Sequence, residues 1–335
     1  MRRIVLCVFF LIVAVAFHSP LWAQDRHLHA SAGATSAQQL PIFVAKDLGL
    51  FEKHGLDVDI LVITGGSTLL QALVGRSIHS ANVAAMAPVR AIASGADLAI
   101  SATFLNKNLY SFIARKEIRN PADLKGKKIG IANFGGANQF SVLTALKAWN
   151  MPPEAVQLVP SGNNMARLIA MDGGRIDATV IPNSSVALAA KRGMTVLANI
   201  AEIVKEFPDR TVIMERSYLQ KERDNAKRFL RAVSEATYRL RAEPELREKV
   251  IPLLMKRLRV DRKVAEEGYD DYRNVFSFPP RTGRRGLEDV LEIVQKESNR
   301  PKAEFTLNRF LDESVMDEME QEGFFKRLAA EKPRK

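Results

Sequence analysis

Cysteine occurs once in the 335 residues, at Cys7, inside the first hydrophobic stretch. Beyond that stretch the chain has no disulfide, no thiolate metal site and no cysteine nucleophile to offer. Histidine is nearly as scarce: His18, His27, His29, His54 and His79. His27 and His29 share one face of a strand, yet no third ligand of suitable spacing follows in the sequence. They read as surface residues, and no metal is assigned. A Gly-x-Ser-x-Gly elbow and a Gly-x4-Gly-Lys-Ser/Thr phosphate loop are both missing, so no catalytic residue is assigned. Long apolar runs are missing too. The uncharged run from Ile4 to Phe17 is shorter than the ~20 residues a membrane helix needs. A mean hydropathy of −0.10 excludes a polytopic membrane protein.

What is present at the start is a secretory signal. Arg2-Arg3 gives a positive beginning, the run to Phe17 a short apolar centre, and Pro20-Leu21-Trp22-Ala23-Gln24 a cleavage site near Ala23. The expected location is the periplasm. Lys and Arg total 49 against 38 Asp and Glu, a net charge of +11. That balance suits anionic ligands. The signs mostly alternate, as in Lys221-Glu222-Arg223-Asp224, rather than forming basic stripes, so no nucleic-acid partner is expected. With 47% hydrophobic and 26% charged residues the composition is that of a globular protein, and the length suits about two domains.

From His27 the chain alternates strands and helices, the mark of an α/β fold with parallel sheets. Strands are expected at His27–Ala34, Leu56–Ile63 and Ser80–Ala85, with a helix over Pro41–Phe51 and another from an Ser67 N-cap to Val74. Asp57 and Asp59 fall on the solvent face of their strand, opposite Val58 and Ile60. The order then returns. Strands at Ile129–Ala132, Val156–Val159 and Arg175–Ile181 enclose helices at Ala137–Trp149 and Met165–Met171. Setting residue i against i+98 pairs Phe51 with Trp149, Val58 with Val156 and Leu70 with Leu168. It also pairs Gly75 with Gly173, Ile78 with Ile176 and Gly95 with Gly193. Matched glycines and apolar positions in one register suggest two lobes built alike. After one more strand at Thr211–Met214 come charged helices at 221–240, 244–257, 264–271, 286–297 and 314–328.

Gly65-Gly66-Ser67-Thr68 and Gly135-Gly136-Ala137-Asn138 each follow a strand and open a helix. Unpaired N–H groups and the helix dipole make such loops able to hold a carboxylate, sulfonate or phosphate. The carboxyl ends of strands are where open α/β sheets bind ligands. The candidates there are Thr35, Ser36 and Gln38 after the first strand, Gly66, Ser67 and Thr68 after the second, and Asn106 near a crossing. From the second lobe come Gly135, Gly136, Ala137, Asn138, Asn163, Asn183 and Ser184, with Phe104 and Phe134 to stack on a planar ligand. No arginine falls in these loops, which weakens the case for a doubly charged anion.

These residues carry a resemblance. Pro41-Ile-Phe-Val-Ala45-Lys-Asp-Leu-Gly49-Leu-Phe51, Gly65-Gly66-Ser67, Asp123-Leu124-Lys125-Gly126 and Gly174-Arg175-Ile176-Asp177-Ala178 resemble segments of the periplasmic substrate-binding proteins of ABC transporters. The type is that of the sulfonate, nitrate, taurine and thiamine-precursor (NMT1/THI5-like) family. His79 departs from it, standing where the family usually has Asp. The resemblance implies a two-lobed type II periplasmic-binding-protein fold, each lobe a mixed sheet flanked by helices, with a helical C-terminal region. It implies a monomer without cofactor that closes on a small, anionic or polar organic solute and delivers it to an ABC permease in the inner membrane. The expected division is a signal peptide over 1–23, lobe I over 24–112 and 210–335, and lobe II over 113–209. Two other readings stand beside it: a ligand-sensing protein for a membrane receptor, and an enzyme of the pyrimidine-synthesis type. The latter uses a cysteine-rich motif in fungal relatives, and this chain beyond Cys7 has none.

Overall fold

A computed structural model describes residues 26–63 and 65–331; the signal peptide expected over 1–23 lies outside them. Ten strands form two five-stranded sheets. The first runs in the order β2-β1-β3-β10-β4, from Asp57–Val62, His27–Ala32, Ser80–Val83, Arg210–Glu215 and Leu98–Leu105. The second runs β7-β6-β8-β5-β9, from Gln157–Pro160, Lys128–Ile131, Ala178–Pro182, Tyr110–Ala114 and Thr195–Asn199. The labelled helices are α1 (Leu40–Asp47), α2 (Gly66–Val74), α3 (Met86–Ala93), α4 (Ala137–Ala148), α5 (Asn164–Asp172) and α6 (Val186–Lys191). The last third adds α7 (Arg223–Ala242), α8 (Leu246–Leu258), α9 (Arg262–Arg273), α10 (Arg284–Ser298) and α11 (Ser314–Gln321).

The offset of 98 residues found in the sequence is structural. It carries α2 onto α5 end for end, β3 onto β8 with the same first residue and one residue fewer at the end, and β2 onto β7 within a few residues. Position by position the two sheets have the same order. In each, three parallel strands are followed by one antiparallel strand that the chain supplies on crossing over. β5 arrives in the second sheet straight after leaving β4, and β10 fills the same place in the first sheet on the way back.

Three sequence expectations change. The helix foreseen over Pro41–Phe51 is two, α1 and a turn at Leu50–Lys53, broken at left-handed Gly49. β4 and β5 went unrecognised because every residue in both is buried, which erases the alternation of a half-exposed strand. β5 also moves the first crossing: Tyr110 pairs with Pro182 in the second sheet, ahead of the division at 112/113.

One apolar cluster lies where α7, α8, α9 and α11 pack on the first sheet and α1, with Phe51 stacked on Phe229 at 5.2 Å. α7 presents Ala226, Phe229, Leu230 and Val233 at helical spacing to this core. It also buries Glu235, which accepts from Lys53 Nζ at 2.6 Å and is 2.9 Å from His54 Nε2. A second cluster is continuous between the sheets. It joins Leu69, Val89 and Ile213 to Phe112, Ile129 and Phe140, and α10 adds Leu287, Val290 and Val294.

The two crossing segments lie side by side. Phe207 N donates to Asn106 O at 3.0 Å, and Asp209 N to Leu105 O at 2.8 Å. Phe207 stacks on Phe140 of α4 at 4.0 Å, and Asn108 Nδ2 donates to Ser141 Oγ of the same helix at 2.9 Å. α10 meets this pair closely. A Cβ at Gly286 would stand 2.7 Å from Glu206 O and 2.8 Å from Glu206 C. Helix propensity alone favours alanine by ~1 kcal/mol, but backbone atoms cannot yield to a methyl at that distance. Gly286→Ala is therefore expected to destabilise the fold by about 1–3 kcal/mol, the usual cost of overpacking. A lower urea midpoint at unchanged slope is the expected result.

Candidate functional site

The carboxyl ends of the parallel strands of both sheets converge on one region. From the first sheet come the loops after Ala32, Val62 and Val83; from the second, those after Ile131, Pro160 and Pro182. The two glycine loops oppose each other across it. A Cβ at Gly65 would lie 3.8 Å from Asn133 Nδ2, and one at Gly135 would lie 3.0 Å from Arg90 Nη1. Arg90, on α3, donates to Gln139 Oε1 on α4 at 3.3 Å, and that oxygen accepts from Gly135 N at 2.7 Å. Only small backbone lets the sheets approach this closely.

The centre of the region is polar and buried. Gln38 Nε2, after β1, donates to Tyr110 Oη at 3.2 Å, and Arg210 donates to Gln38 Oε1. Arg210 Nη1 also donates to Asp209 Oδ1 at 2.8 Å. Burial opposes the Arg210 charge, but Asp209, Tyr110 and Tyr272 outweigh it and raise its pKa. Burial likewise lifts Tyr110 and takes Tyr272 well above the ordinary phenol range. From the other sheet α5 contributes Arg167, 2% exposed. Its Nε donates to Thr179 Oγ1 at 3.0 Å, Nη1 to Gly162 O at 2.6 Å and Nη2 to Val180 O at 3.2 Å. No carboxylate is among these partners. Burial lowers its pKa to about 10, so it remains a cation at neutral pH.

Several polar atoms here are buried with no hydrogen-bond partner: Ser36 Oγ, both amide atoms of Gln39, Asn164 Oδ1 and Tyr269 Oη. Each such group costs ~1–3 kcal/mol. α9 packs against both the 37–39 turn of the first sheet and the 183–185 turn of the second. A Cβ at its Gly268 would meet Ala37 Cβ at 3.0 Å. The C-terminal helices thus wall one side of the region.

The residues foreseen from sequence divide. Ser36, Gln38, Gly135, Gly136, Ala137, Asn138, Asn183 and Ser184 are brought to the region, and Phe134 beside it is 53% exposed. Asn138 is buried and its Nδ2 stands 3.4 Å from Val180 O. Asn183 Oδ1 accepts from Ser111 Oγ at 2.8 Å. Thr35 is exposed in its loop. Gly66 opens α2 with its Cα against Ala87. Ser67 does not cap that helix. Gly65 holds the cap position, and Ser67 and Thr68 are exposed within the first turn. Asn163 spends its Oδ1 on capping α5, accepting from Ala166 N at 2.9 Å. Asn106 is a structural hub. Its Nδ2 donates to Ser277 Oγ at 2.9 Å and Arg281 O at 2.8 Å, and its Oδ1 accepts from Gly283 N at 2.8 Å. Phe104 is fully buried, edge-on to Phe276 at 6.2 Å, which leaves it no face for a ligand.

Sequence reading missed Arg167, Asp209, Arg210, Tyr110 and Tyr272. The two arginines come from a helix face and a strand start, not from the loops inspected. A signal existed for Arg167: it shares the buried stripe of α5 with Leu168, Ala170 and Met171, where a charge is out of pattern.

Asp209 offers a pH test. Burial raises its carboxyl to about 6, against the pull of Arg210. A raised folded-state pKa contributes stability that is full below about 4 and lost as pH rises through about 6. Urea midpoints measured from pH 4 to 7 should carry this falling component, on the order of 2–3 kcal/mol. Asp209→Asn should remove it and flatten the profile.

Among known proteins, the NMT1/THI5-like family matches residues 36–246. YtlA of Bacillus subtilis, provisionally named a binding protein, is 28% identical over 204 residues, 58% of this chain and 60% of YtlA. The chain thus spans about three fifths of that relative's length. The 4-amino-5-hydroxymethyl-2-methylpyrimidine phosphate synthase THI11 of Saccharomyces cerevisiae is 29% identical over 221 residues, 61% of this chain and 64% of THI11. In structure, the periplasmic nitrate-binding protein NrtA of Synechocystis superposes with TM-score 0.73 at 15% identity, covering 89% of each chain. The periplasmic aliphatic sulphonate binding protein SsuA of Escherichia coli superposes with TM-score 0.67 at 21% identity, covering 82% of this chain and 93% of SsuA. Those two likenesses concern the fold: two mixed five-stranded sheets flanked by helices, with a helical C-terminal region.

Proposed function

The chain belongs to the NMT1/THI5-like family, and on that premise we propose that it is an extracytoplasmic solute-binding protein that serves an ABC importer. Its two lobes, one built on each sheet with crossings just before Tyr110 and near Arg210, close on a small anionic or polar organic solute. One observation carries this reading. Arg167 from one sheet and the Gln38–Arg210–Asp209 group from the other are buried around the same convergence of strand ends, and Arg167 has only neutral partners. A solute anion would supply the counter-charge. The unpartnered Ser36 Oγ and Asn164 Oδ1 would gain hydrogen bonds with it. Asn138, Asn183 and Ser184 complete the proposed wall from the second lobe, with Phe134 at its mouth. Among the described residues no helix is long and apolar enough to cross a membrane. Export with cleavage near Ala23, followed by delivery to an inner-membrane permease, fits that observation. The synthase activity named for the yeast relative would instead show a bound cofactor in the absorbance of the purified protein.

A thermal-shift panel of sulfonates, nitrate, aromatic acids, aminopyrimidines and short peptides should yield at least one stabilising solute. A ligand of the folded state adds RT ln(1 + [L]/Kd), about 2.7 kcal/mol at a hundredfold excess over Kd. For that solute, scattering should show a smaller radius of gyration on binding. Arg167→Met should weaken affinity by at least tenfold, since hydrogen bonds to charge are worth about 1.5–3 kcal/mol. No change of radius at saturation would refute closure. Mass spectrometry of the periplasmic fraction should find a mature start close to Gln24.

A further inference from the structure

The edge of the first sheet away from the strand carboxyl ends holds a second constellation. β1 and β2 run parallel in a register that sets His27 beside Asp57 and His29 beside Asp59. Residues two apart on a strand share a face, so all four side chains stand on one surface. The third ligand that the His-x-His spacing lacked along the sequence is supplied by the neighbouring strand.

We propose that His27, His29 and Asp59 form a binding site for a divalent transition-metal ion, zinc first among them. His27 Nδ1 lies 2.8 Å from Asp57 Oδ2. With that carboxylate accepting, Nδ1 carries a proton and Nε2 faces Asp59 Oδ2, 3.4 Å away, where a metal ion would take the place of any proton on it. A carboxylate behind the imidazole is the usual support of a metal-bound histidine, fixing its tautomer and orientation. His29 Nδ1 is buried without a hydrogen-bond partner and lies 3.7 Å from the same Asp59 oxygen. Three potential ligand atoms thus face one another, all within 4.8 Å, and a cation between them would bind all three. Ligands of a four-coordinate zinc, bonded at about 2.0–2.2 Å, stand roughly 3.3–3.6 Å apart. Two of the observed separations are already close to that. The backbone of His29 is further held through its amide N–H, which donates to His79 Nδ1 at 3.1 Å. The neighbouring cation Lys46 pairs with Glu52 at 3.0 Å and approaches Asp57, not the proposed ligand, at 3.7 Å.

Two imidazoles and one carboxylate favour zinc, copper or nickel over magnesium or calcium, which take oxygen ligands. The side chains of His27 and His29 are each 41% exposed and that of Asp59 55%. Water can therefore enter and complete the coordination. The site lies at the opposite strand ends from the proposed solute cleft and does not depend on that reading.

The test is calorimetric titration of ZnCl2 into the mature chain, free of any affinity tag and stripped with chelator beforehand. One zinc per chain with a micromolar or tighter Kd is expected. Asp59→Asn and His29→Gln should each weaken it at least tenfold. Asp57→Asn, which acts through His27, should weaken it by about tenfold as an outer-shell change does. Co2+ should give the visible absorption of a low-coordinate histidine site in the parent protein and lose it in Asp59→Asn. These residues are at the surface, and circular dichroism of each variant should match the parent. Absence of heat up to about 1 mM ZnCl2 would overturn the proposal and leave His27 as an imidazolium bridging two aspartates. Zinc binding untouched by all three substitutions would overturn it equally. Solute affinity should be unchanged in every variant, so failure here says nothing against the cleft.

Discussion

The structure depends on how the chain passes between its two sheets. It does so twice, and the two passages are bonded to each other, Phe207 to Asn106 and Asp209 to Leu105. Two short connections bonded side by side resist shear but bend together, which is the construction that the proposed closure requires. Each sheet takes its antiparallel strand from this pair, β5 outward and β10 on return. The exchange fixes which ends of the other strands face one another. Because β1, β2, β3 and β6, β7, β8 are parallel sets with matched order, both present carboxyl ends to the same space. Phe207 stacked on Phe140 and Asn106 bonded to the 277–283 segment then anchor the passages to α4 and to the C-terminal region.

The polar centre grows directly out of these passages. Tyr110 is the first residue of β5 and Arg210 the first of β10, with Asp209 just before it. Gln38 links the pair by bonding to both Tyr110 and Arg210. The hydrogen bonds that hold the sheets in this relation therefore belong to the same groups that line the convergence. On the proposed function, a change in occupancy there would act on the orientation of the lobes through contacts one residue from the crossings. The larger apolar packing of the C-terminal helices is elsewhere, in the cluster of α7, α8, α9 and α11 against the first sheet.

Much of this was legible in the sequence, and the reasons for the rest are physical. The 98-residue offset exposed the equivalence of the lobes because glycines and apolar residues at matched turns answer to backbone geometry, which both lobes share. α2 and α5 follow it end for end. β4 was invisible because Ser101 and Thr103 are as buried as Ile100 and Phe104, so its polarity says nothing about its faces. The glycine loops were correctly seen as opposed. Side-chain roles were not: Gly65 rather than the exposed Ser67 holds the cap position, and the partners of Asn106, at 277–283, lie far away in sequence. Phe104 failed for the same reason: an aromatic at a strand end faces a core or a cleft according to strand parity, and parity required knowing that β4 existed.

Arg167 shows what the fold tolerates at its centre. A guanidinium taken out of water without a carboxylate is costly, and three neutral oxygens recover only part of its hydration. Its pKa, lowered to about 10 by burial, measures that strain yet leaves it charged. A purely structural role would be served better by an apolar side chain, since replacing buried charge by packed hydrocarbon is often neutral or stabilising. The position of Arg167 on the apolar stripe of α5 makes such a replacement geometrically simple, because Leu168 and Met171 already line that stripe. Arg210 is the contrast: equally buried, but neutralised by Asp209 within its own sheet. The two arginines thus differ in what they leave unmet. One has its charge balanced by Asp209, though its Nε is left without a partner, and the other is hydrogen-bonded throughout but has no carboxylate to balance its charge. On the proposed function that imbalance is the source of affinity. An anion entering there gains a desolvated partner already in place, and the lobes gain contact only when both have reached it.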